Sequence, residues 1–518
     1  MLAGDFLRNS AAHAPNRVAL IGSGQRLTYA EFDEQADRLA NALIDLRLER
    51  GAKVAVLSCN RPEYAIAYFG IARTPYVSVH CSTRSTASEL TYVLNKTETQ
   101  LLFIDAGFAS LLDSVLPALD RSLPVVLLDA QHKERPIVAG GVYLDQFIGT
   151  ASANPPDVVL DDSDALAITL TGGTTGLPKA VLVSHKARCA SAIAAAEDFG
   201  LTDEDVMLVC TPLFHTAGLF VWFGTAVMLG ATVVLSEGWD PDQFMRIVAR
   251  EKVTAAFLVP SQLNHLISHP GFSTRLLKTL RNIGYAGAPM SPALFDRVES
   301  ALPDVAFTEN YGQSEACPIT IRRPADGDDK RETVGRAACN AEIGIVDQQG
   351  NLLPAGATGE IVTRGEQLFD GYFNDPEATA EVFSLPDGWY LTGDVGSLDE
   401  DGFLTLVDRS RDMLVSGGEN IYPAEIENSL YQHEAVVECA VFGIPDERWG
   451  EVPAAHVVLK PGIDVSEEEL IDFCAQIVAR YKRPRLIRFV QSLPKTAVGK
   501  IKKNELRAVY WRDQRKHI

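Results

Sequence analysis

The chain has 518 residues, 46% of them hydrophobic and 22% charged. That is too long for one compact core, since domains run to ~100–200 residues, and two to four folding units are expected. A formal net charge of −21 disfavours nucleic acid and anionic membrane as main partners, because both select basic surfaces; a nucleotide held by a local pocket of donors remains compatible with it.

The opening stretch, MLAGDFLRNSAAHAPNR, lacks an apolar h-region and carries an early Asp5, so it does not read as a secretory signal. LTYAEFDEQADRLANALIDL has apolar residues at helical period, and KVAVLS after it reads as a short strand. The alternation recurs at AYFGIAR, LLFIDA and PVVLLD and predicts parallel sheets covered by helices. From Thr216 to Leu235 there is no charge, and ~18 uncharged apolar residues already make a membrane-span candidate. Gly218, Gly224 and Gly230 punctuate the stretch and ATVVL is β-branched, so the reading is a buried helix, a turn at Gly230 and a strand, with no stable membrane insertion. From about Pro354 to Asp408 the chain is rich in Gly, Asp and aromatics and predicts a small β-rich unit, placed at about 335–410. Beyond it, helical AEIENSLYQH and EEELIDFCAQIVARY alternate with strands VVECAVFGIP and RLIRFV. The expected division is residues 1–410 and 411–518, with DRSRD as the joint. Eight cysteines form no CxxC pair, which fits a reduced, cytoplasmic protein.

Four segments carry chemistry. In ALAITLTGGTTGLPKAV a strand runs into Thr171, Gly172, Gly173, Thr174, Thr175, Gly176, Leu177, Pro178 and Lys179. Glycines let backbone N–H groups turn toward a phosphate, and threonine hydroxyls add donors. Leu177 and Pro178 before the lysine, and Ala180 after it, separate this from the P-loop pattern. In ENYGQSEACP, Tyr311 offers a flat face to a purine, Ser314 a hydroxyl, and Glu315 a carboxylate for Mg²⁺, which takes one or two carboxylates plus phosphate oxygens. Asp394, after Gly393, suits ribose hydroxyls, and Arg409 adds a charge-assisted contact. In LPKTAVGKIKKNELR, Lys500 follows Gly499 on a loop. His265 and His269 have i,i+4 metal spacing but lack the glutamate of HExxH, so a structural pair is expected; no GxSxG occurs.

Together, in this order and spacing, these segments resemble the adenylate-forming superfamily of acyl-CoA synthetases, peptide-synthetase adenylation domains and luciferases, over about Leu27 to Arg507. The resemblance implies an α/β fold: a large N-terminal adenylation part of two αβ lobes and a small β-barrel, and a smaller, mobile α+β C-terminal domain. It implies that Thr171 to Lys179 hold the β- and γ-phosphates, that Gly287, Ala288 and Pro289 form the adenine-binding turn, and that Tyr311, beside Gly312, stacks on adenine. Ser314 would then sit near the α-phosphate, Glu315 would hold magnesium, Asp394 and Arg409 would bind ribose, and Lys500 would stabilise the adenylation transition state. Arg411 falls on the hinge and His215 at the acyl and thiol entrance. Ser416, Gly417 and Gly418 would line the pantetheine tunnel, bordered by Trp449. The acyl pocket is expected from Phe214, Phe220, Val221, Trp222, Val259, Tyr285, Ala286, Cys317, Pro318 and Ile319, none of which carries a fixed charge. Gly172, Ala180, Ser314 and Arg411 depart from the residues common in the family, and VSVHCSTRS lacks the usual Asn-Pro.

The implied activity is that of an ATP-dependent acid–thiol ligase using ATP, Mg²⁺ and coenzyme A. Attack of a carboxylate on the α-phosphate gives a mixed anhydride and pyrophosphate, and the thiol then displaces AMP. The protein positions two anions and neutralises developing charge. Lys500 has no use in the second step, so a rotating C-terminal domain can exchange one surface for another. The expected acid is a hydrophobic monocarboxylate, aliphatic of medium or greater length, or cyclic, because a second buried charge would lack a counter-ion. The alternatives are loading of a phosphopantetheinyl carrier protein and a non-catalytic adenylate-binding protein, with a kinase or nucleotide hydrolase third. A homodimer is left open.

Overall fold

The computed structural model describes residues 1–128, 141–171, 178–288, 290, 292–409, 414–416, 419–421, 423–446, 449–478, 482–495 and 501–511. Helix formation follows local chemistry. Thr28 caps helix Tyr29–Asp45: its backbone N–H donates to Glu31 Oε2 at 2.8 Å while its hydroxyl accepts from the Glu31 N–H at 3.3 Å. This reciprocal pairing satisfies two otherwise orphaned donors.

Short apolar strands between such helices build two large sheets. One has eight strands, with Lys53–Leu57, Val77–His80, Thr99–Ile104 and Ala165–Thr171 side by side and parallel. The other has nine, with Val206–Val209, Thr232–Leu235, Ala255–Leu258, Asn282–Ala286 and Ala306–Tyr311 parallel at its centre. Side chains alternate between faces along each strand. Val54 and Val56 of the first sheet and Met207, Val209 and Phe257 of the second share one core with helices Tyr29–Asp45, Pro62–Ala72 and His185–Asp198. Their neighbours Ala55 and Leu57, and Leu208 and Ala256, face separate outer cores. Strands buried on both faces read as continuous apolar runs, as these do.

The uncharged stretch forms a π-helical turn Ala217–Phe223, helix Gly224–Leu229, a left-handed Gly230 (φ 77°) and strand Thr232–Leu235. No helix among the described residues is long and apolar enough to cross a membrane. The β-rich unit is a four-stranded antiparallel sheet, Ala341–Val346, Thr358–Gly365, Tyr390–Leu398 and Leu404–Arg409. The C-terminal domain has its own sheet around Val436–Asp446 and Gly450–Leu459, and its two cores draw only on residues after Asp412. The joint at 410/411 lies outside the described residues.

Candidate active site

Strands Asn282–Ala286 and Ala306–Tyr311 pair in parallel with Ala286 opposite Asn310, so Gly287 and Tyr311 leave the sheet side by side. Ligands in open parallel sheets bind outside such carboxyl ends. Gly287 adopts φ 90°, a region in which glycine is unstrained. Past Tyr311 the chain turns tightly: Gln313 and Ala316 exchange backbone hydrogen bonds at 2.8 and 3.1 Å, and Phe369 N–H donates to the Glu315 carbonyl at 2.8 Å. Ser314 and Glu315 are both buried on this turn. Tyr311 Oη donates to Asp394 Oδ2 at 2.8 Å, and Gln313 Nε2 donates to the same oxygen at 2.6 Å. Gln313 is itself held by the Tyr390 hydroxyl at 2.9 Å and the Thr392 carbonyl at 2.9 Å. The second and third sequence motifs are therefore bonded to each other, and the Tyr311 ring is tethered at its hydroxyl. Asp394 lies opposite Arg409 across two strands; the Arg409 side chain is outside the described residues.

The first motif joins through one side chain. Thr171 and Lys179 pair at the connected end of the hairpin, where residues 172–177 lie outside the described residues. Lys179 Nζ sits 4.5 Å from the centre of the Tyr372 ring, and Tyr372 Oη donates to Glu315 Oε1 at 2.9 Å. Burial first, then the Glu315 carboxylate, pushes the Tyr372 phenol far up, so it remains a donor. A buried, oriented carboxylate linked through Tyr372 to Lys179 fits Mg²⁺, which fills its shell with phosphate oxygens and water. Among the described residues, no cluster of three or more His, Cys, Asp or Glu offers an all-protein cage. His265 and His269 accept instead from Trp239 Nε1 at 3.2 Å and from Gly271 N–H at 3.1 Å.

On the acyl side, His215 is half-buried and opens the π-helical turn. Gly218 is required there, because a Cβ would lie 2.4 Å from the Pro212 carbonyl oxygen. Thr216 Oγ1 reaches Thr169 Oγ1 at 3.5 Å, fixing this segment to strand Ala165–Thr171. Phe214, Phe220, Val259, Ala286 and Cys317 are each at most 9% exposed, so the wall is close-packed. Two expected wall residues are committed elsewhere. Trp222 donates to the Leu208 carbonyl at 3.1 Å and packs against Phe199 and Phe257. Tyr285 is wholly buried and donates to Glu309 at 2.9 Å, with Arg322 closing the cluster. Sequence reading does not reach Arg188, on helix His185–Asp198. Its guanidinium lies 5.0 Å over the Phe220 ring and donates to the Ser314 carbonyl at 3.3 Å and to Ser191 Oγ at 3.5 Å. The only signal is one arginine within a helix made largely of alanine.

In the C-terminal domain Ser416 pairs with Gly450, which brings Ser416 beside Trp449; Trp449 is 39% exposed, and its backbone N–H donates to Asp446 Oδ1 at 2.9 Å. Gly172, Gly173, Thr174, Thr175, Gly176, Pro289, Arg411, Gly417, Gly418 and Lys500 lie outside the described residues.

Residues 7–373 match the family described as AMP-binding enzyme, and residues 425–500 match its C-terminal domain. The chain belongs to the AMP-binding enzyme family. This AMP-binding enzyme is 35% identical to a Rhodococcus jostii ligase that joins a methyl-dioxo-octahydroindenyl-propanoyl group to CoA, over 97% of both chains. It is 33% identical to a feruloyl-CoA synthase of an Amycolatopsis species, over 96% of both. Among solved structures, the anthranilate CoA ligase AuaEII in complex with anthranoyl-AMP superposes with a TM-score of 0.91 at 28% identity, covering 98% of this chain and 97% of that one. The enzyme is of the adenylate-forming, acyl-CoA synthetase type, an AMP-forming acid–thiol ligase, and its cofactors are ATP, Mg²⁺ and coenzyme A.

Proposed function

We propose that the enzyme activates a largely apolar monocarboxylic acid, cyclic rather than linear, and transfers the acyl group to free coenzyme A. The observation that carries the site assignment is the pair of links Tyr311–Asp394 and Glu315–Tyr372–Lys179, which draws three motifs distant in sequence into one place. Tyr311 and the Gly287 turn flank the adenine, and Asp394 accepts from ribose hydroxyls. Ser314 lies by the α-phosphate, and Thr171 to Lys179 surround the terminal phosphates. Glu315 holds Mg²⁺, which supplies charge neutralisation when bound. Lys500 serves the adenylation step. His215 stands at the meeting of acid and thiol, and Gly417, Gly418 and Trp449 border the thiol's path. The division at 410/411 makes Arg411 the hinge. The apolar wall from Phe214 to Cys317 supports an acid with little polarity, and ring acids name all three relatives above. Eight free thiols, six of them buried, suit a reducing cytoplasm.

The test is pyrophosphate release across aliphatic, aryl and polycyclic acids, followed by thioester formation with free coenzyme A against a phosphopantetheinyl carrier protein. Release with a ring acid and transfer to free coenzyme A are expected. Transfer to the carrier protein alone would move the enzyme to the loading reading, and a dicarboxylate or amino acid with the higher kcat/KM would overturn the apolar wall.

A further inference from the structure

Deeply buried arginines in this protein come with carboxylates. Arg73 pairs with Asp33 and Asp37, and Arg322 pairs with Glu309 while also touching the Tyr285 hydroxyl. Arg188 is equally buried, at 2% exposure, and has no carboxylate within ion-pair distance among the described residues. Its Nε has no partner at all. Its two hydrogen bonds, 3.3 and 3.5 Å, lie at or beyond the long end of the normal range, so little is lost if the guanidinium turns to a better acceptor. A buried cation satisfied this poorly is strongly unfavourable unless something else meets it.

Its position says what that is. The guanidinium lies between the Phe220 ring, on the turn after His215, and the carbonyl of Ser314, on the turn that carries Glu315 and Cys317. These are two of the walls to which the proposed function assigns the acid. Asp370 and Glu315 act on it electrostatically, and neither forms an ion pair with it among the described residues.

We propose that Arg188 is a specificity residue that receives an uncharged oxygen acceptor, a ring oxo group, borne by the acid away from its reacting carboxyl. This rests on the adenylate-forming reading above and refines its substrate class: an apolar skeleton with one remote oxygen. A planar fork of donors fits the two lone pairs of an oxo group, and a remote ammonium group is repelled.

The experiment compares three acids on one skeleton: a cyclohexylpropanoate, its ring-oxo derivative and its ring-carboxylate derivative. kcat/KM for pyrophosphate release is measured with wild type, Arg188→Met and Arg188→Lys, with folding checked by circular dichroism. Wild type is expected to favour the ring-oxo acid by at least about tenfold, since a site built to hydrogen-bond a group rejects the analogue lacking it; a preference for the ring-carboxylate would overturn both this assignment and the monocarboxylate reading. In Arg188→Met that ratio falls to near one. Should this variant not fold, Arg188→Lys, which keeps the charge and loses the fork, is expected to shift the ratio in the same direction. A wild type without preference, or a variant that lowers all three acids in proportion, overturns the proposal. No pyrophosphate with any acid would overturn the adenylating reading itself, a result distinct from release without discrimination.

Discussion

Tyr372 couples the lysine of one motif to the carboxylate of another, through its ring face on one side and its phenol oxygen on the other. Tyr372→Phe keeps the ring under Lys179 and removes the donor to Glu315. Loss of such an outer partner commonly costs about 10–100-fold in metal affinity or activity. The expected outcome is a Mg²⁺ titration of pyrophosphate release displaced to higher concentration by that order, with the fold unchanged. Glu315→Gln should displace it further, because a neutral amide binds a hard cation poorly. Unchanged titrations in both variants would place the metal elsewhere. Lys500→Ala should slow adenylation by about 10²–10³ and leave thioester formation from synthetic acyl-AMP largely intact; equal loss in both half-reactions would reject its role. Tyr311, Asp394 and Glu315 were legible in the sequence because each sits in a short motif. Tyr372 and Arg188 were not, since each reaches the site from an element with no motif of its own. Trp222 and Tyr285 stand in expected wall segments, but each carries a polar atom that a buried ring must satisfy, and the available acceptors, Leu208 and Glu309, lie toward the sheet.

Regular elements were read more easily than the side chains they carry. Helix Tyr29–Asp45, the apolar strand Lys53–Leu57 and the break at Gly230 are local in origin, and local pattern locates them. What pattern omits is how closely elements approach. Gly218→Ala should force the turn after His215 off the Pro212 carbonyl. Overpacking of this kind costs about 1–3 kcal/mol, expected as a lower thermal midpoint together with reduced activity; a variant matching wild type in both would show that the turn yields freely. The buried strand Val77–His80 ends in an imidazole held between the Tyr64 hydroxyl (2.8 Å) and Ser78 Oγ (2.9 Å). Burial pushes the His80 pKa down to about 3, and that of His185 to about 4. Both are neutral when folded, while the unfolded chain takes up their protons near 6.5. Stability is therefore full above about pH 6.5 and is lost as pH falls from there toward 4 and below. Thermal midpoints measured across that window should fall, and should fall less steeply in His80→Gln. Equal slopes would mean that other groups govern acid sensitivity.

At the scale of the whole molecule, the separate C-terminal cores mean that this domain holds together without help from the two large sheets. Rotation about a joint is then compatible with an intact interior. Arg411→Pro restricts φ at the proposed joint and removes a backbone donor. Adenylation should persist while thioester formation falls, read by pyrophosphate release and thioester yield on one preparation; wild-type rates in both steps would remove Arg411 from the hinge. The α/β architecture was legible because alternating helices and strands admit few arrangements. Strand order was not, because it depends on pairings between remote segments. Strand Val18–Gly22 has Thr232–Leu235 as its parallel neighbour, and the outer edge of the hairpin bearing the first motif is covered by Gly371–Tyr372. On the ribosome, the early strands therefore emerge long before their partners, and open edges of this kind invite pairing with other chains. The strand that finally covers the hairpin also delivers Tyr372 to Glu315. A nascent chain thus gains its orienting phenol in the same event that seals its sheet, and no half-made product presents a finished nucleotide site.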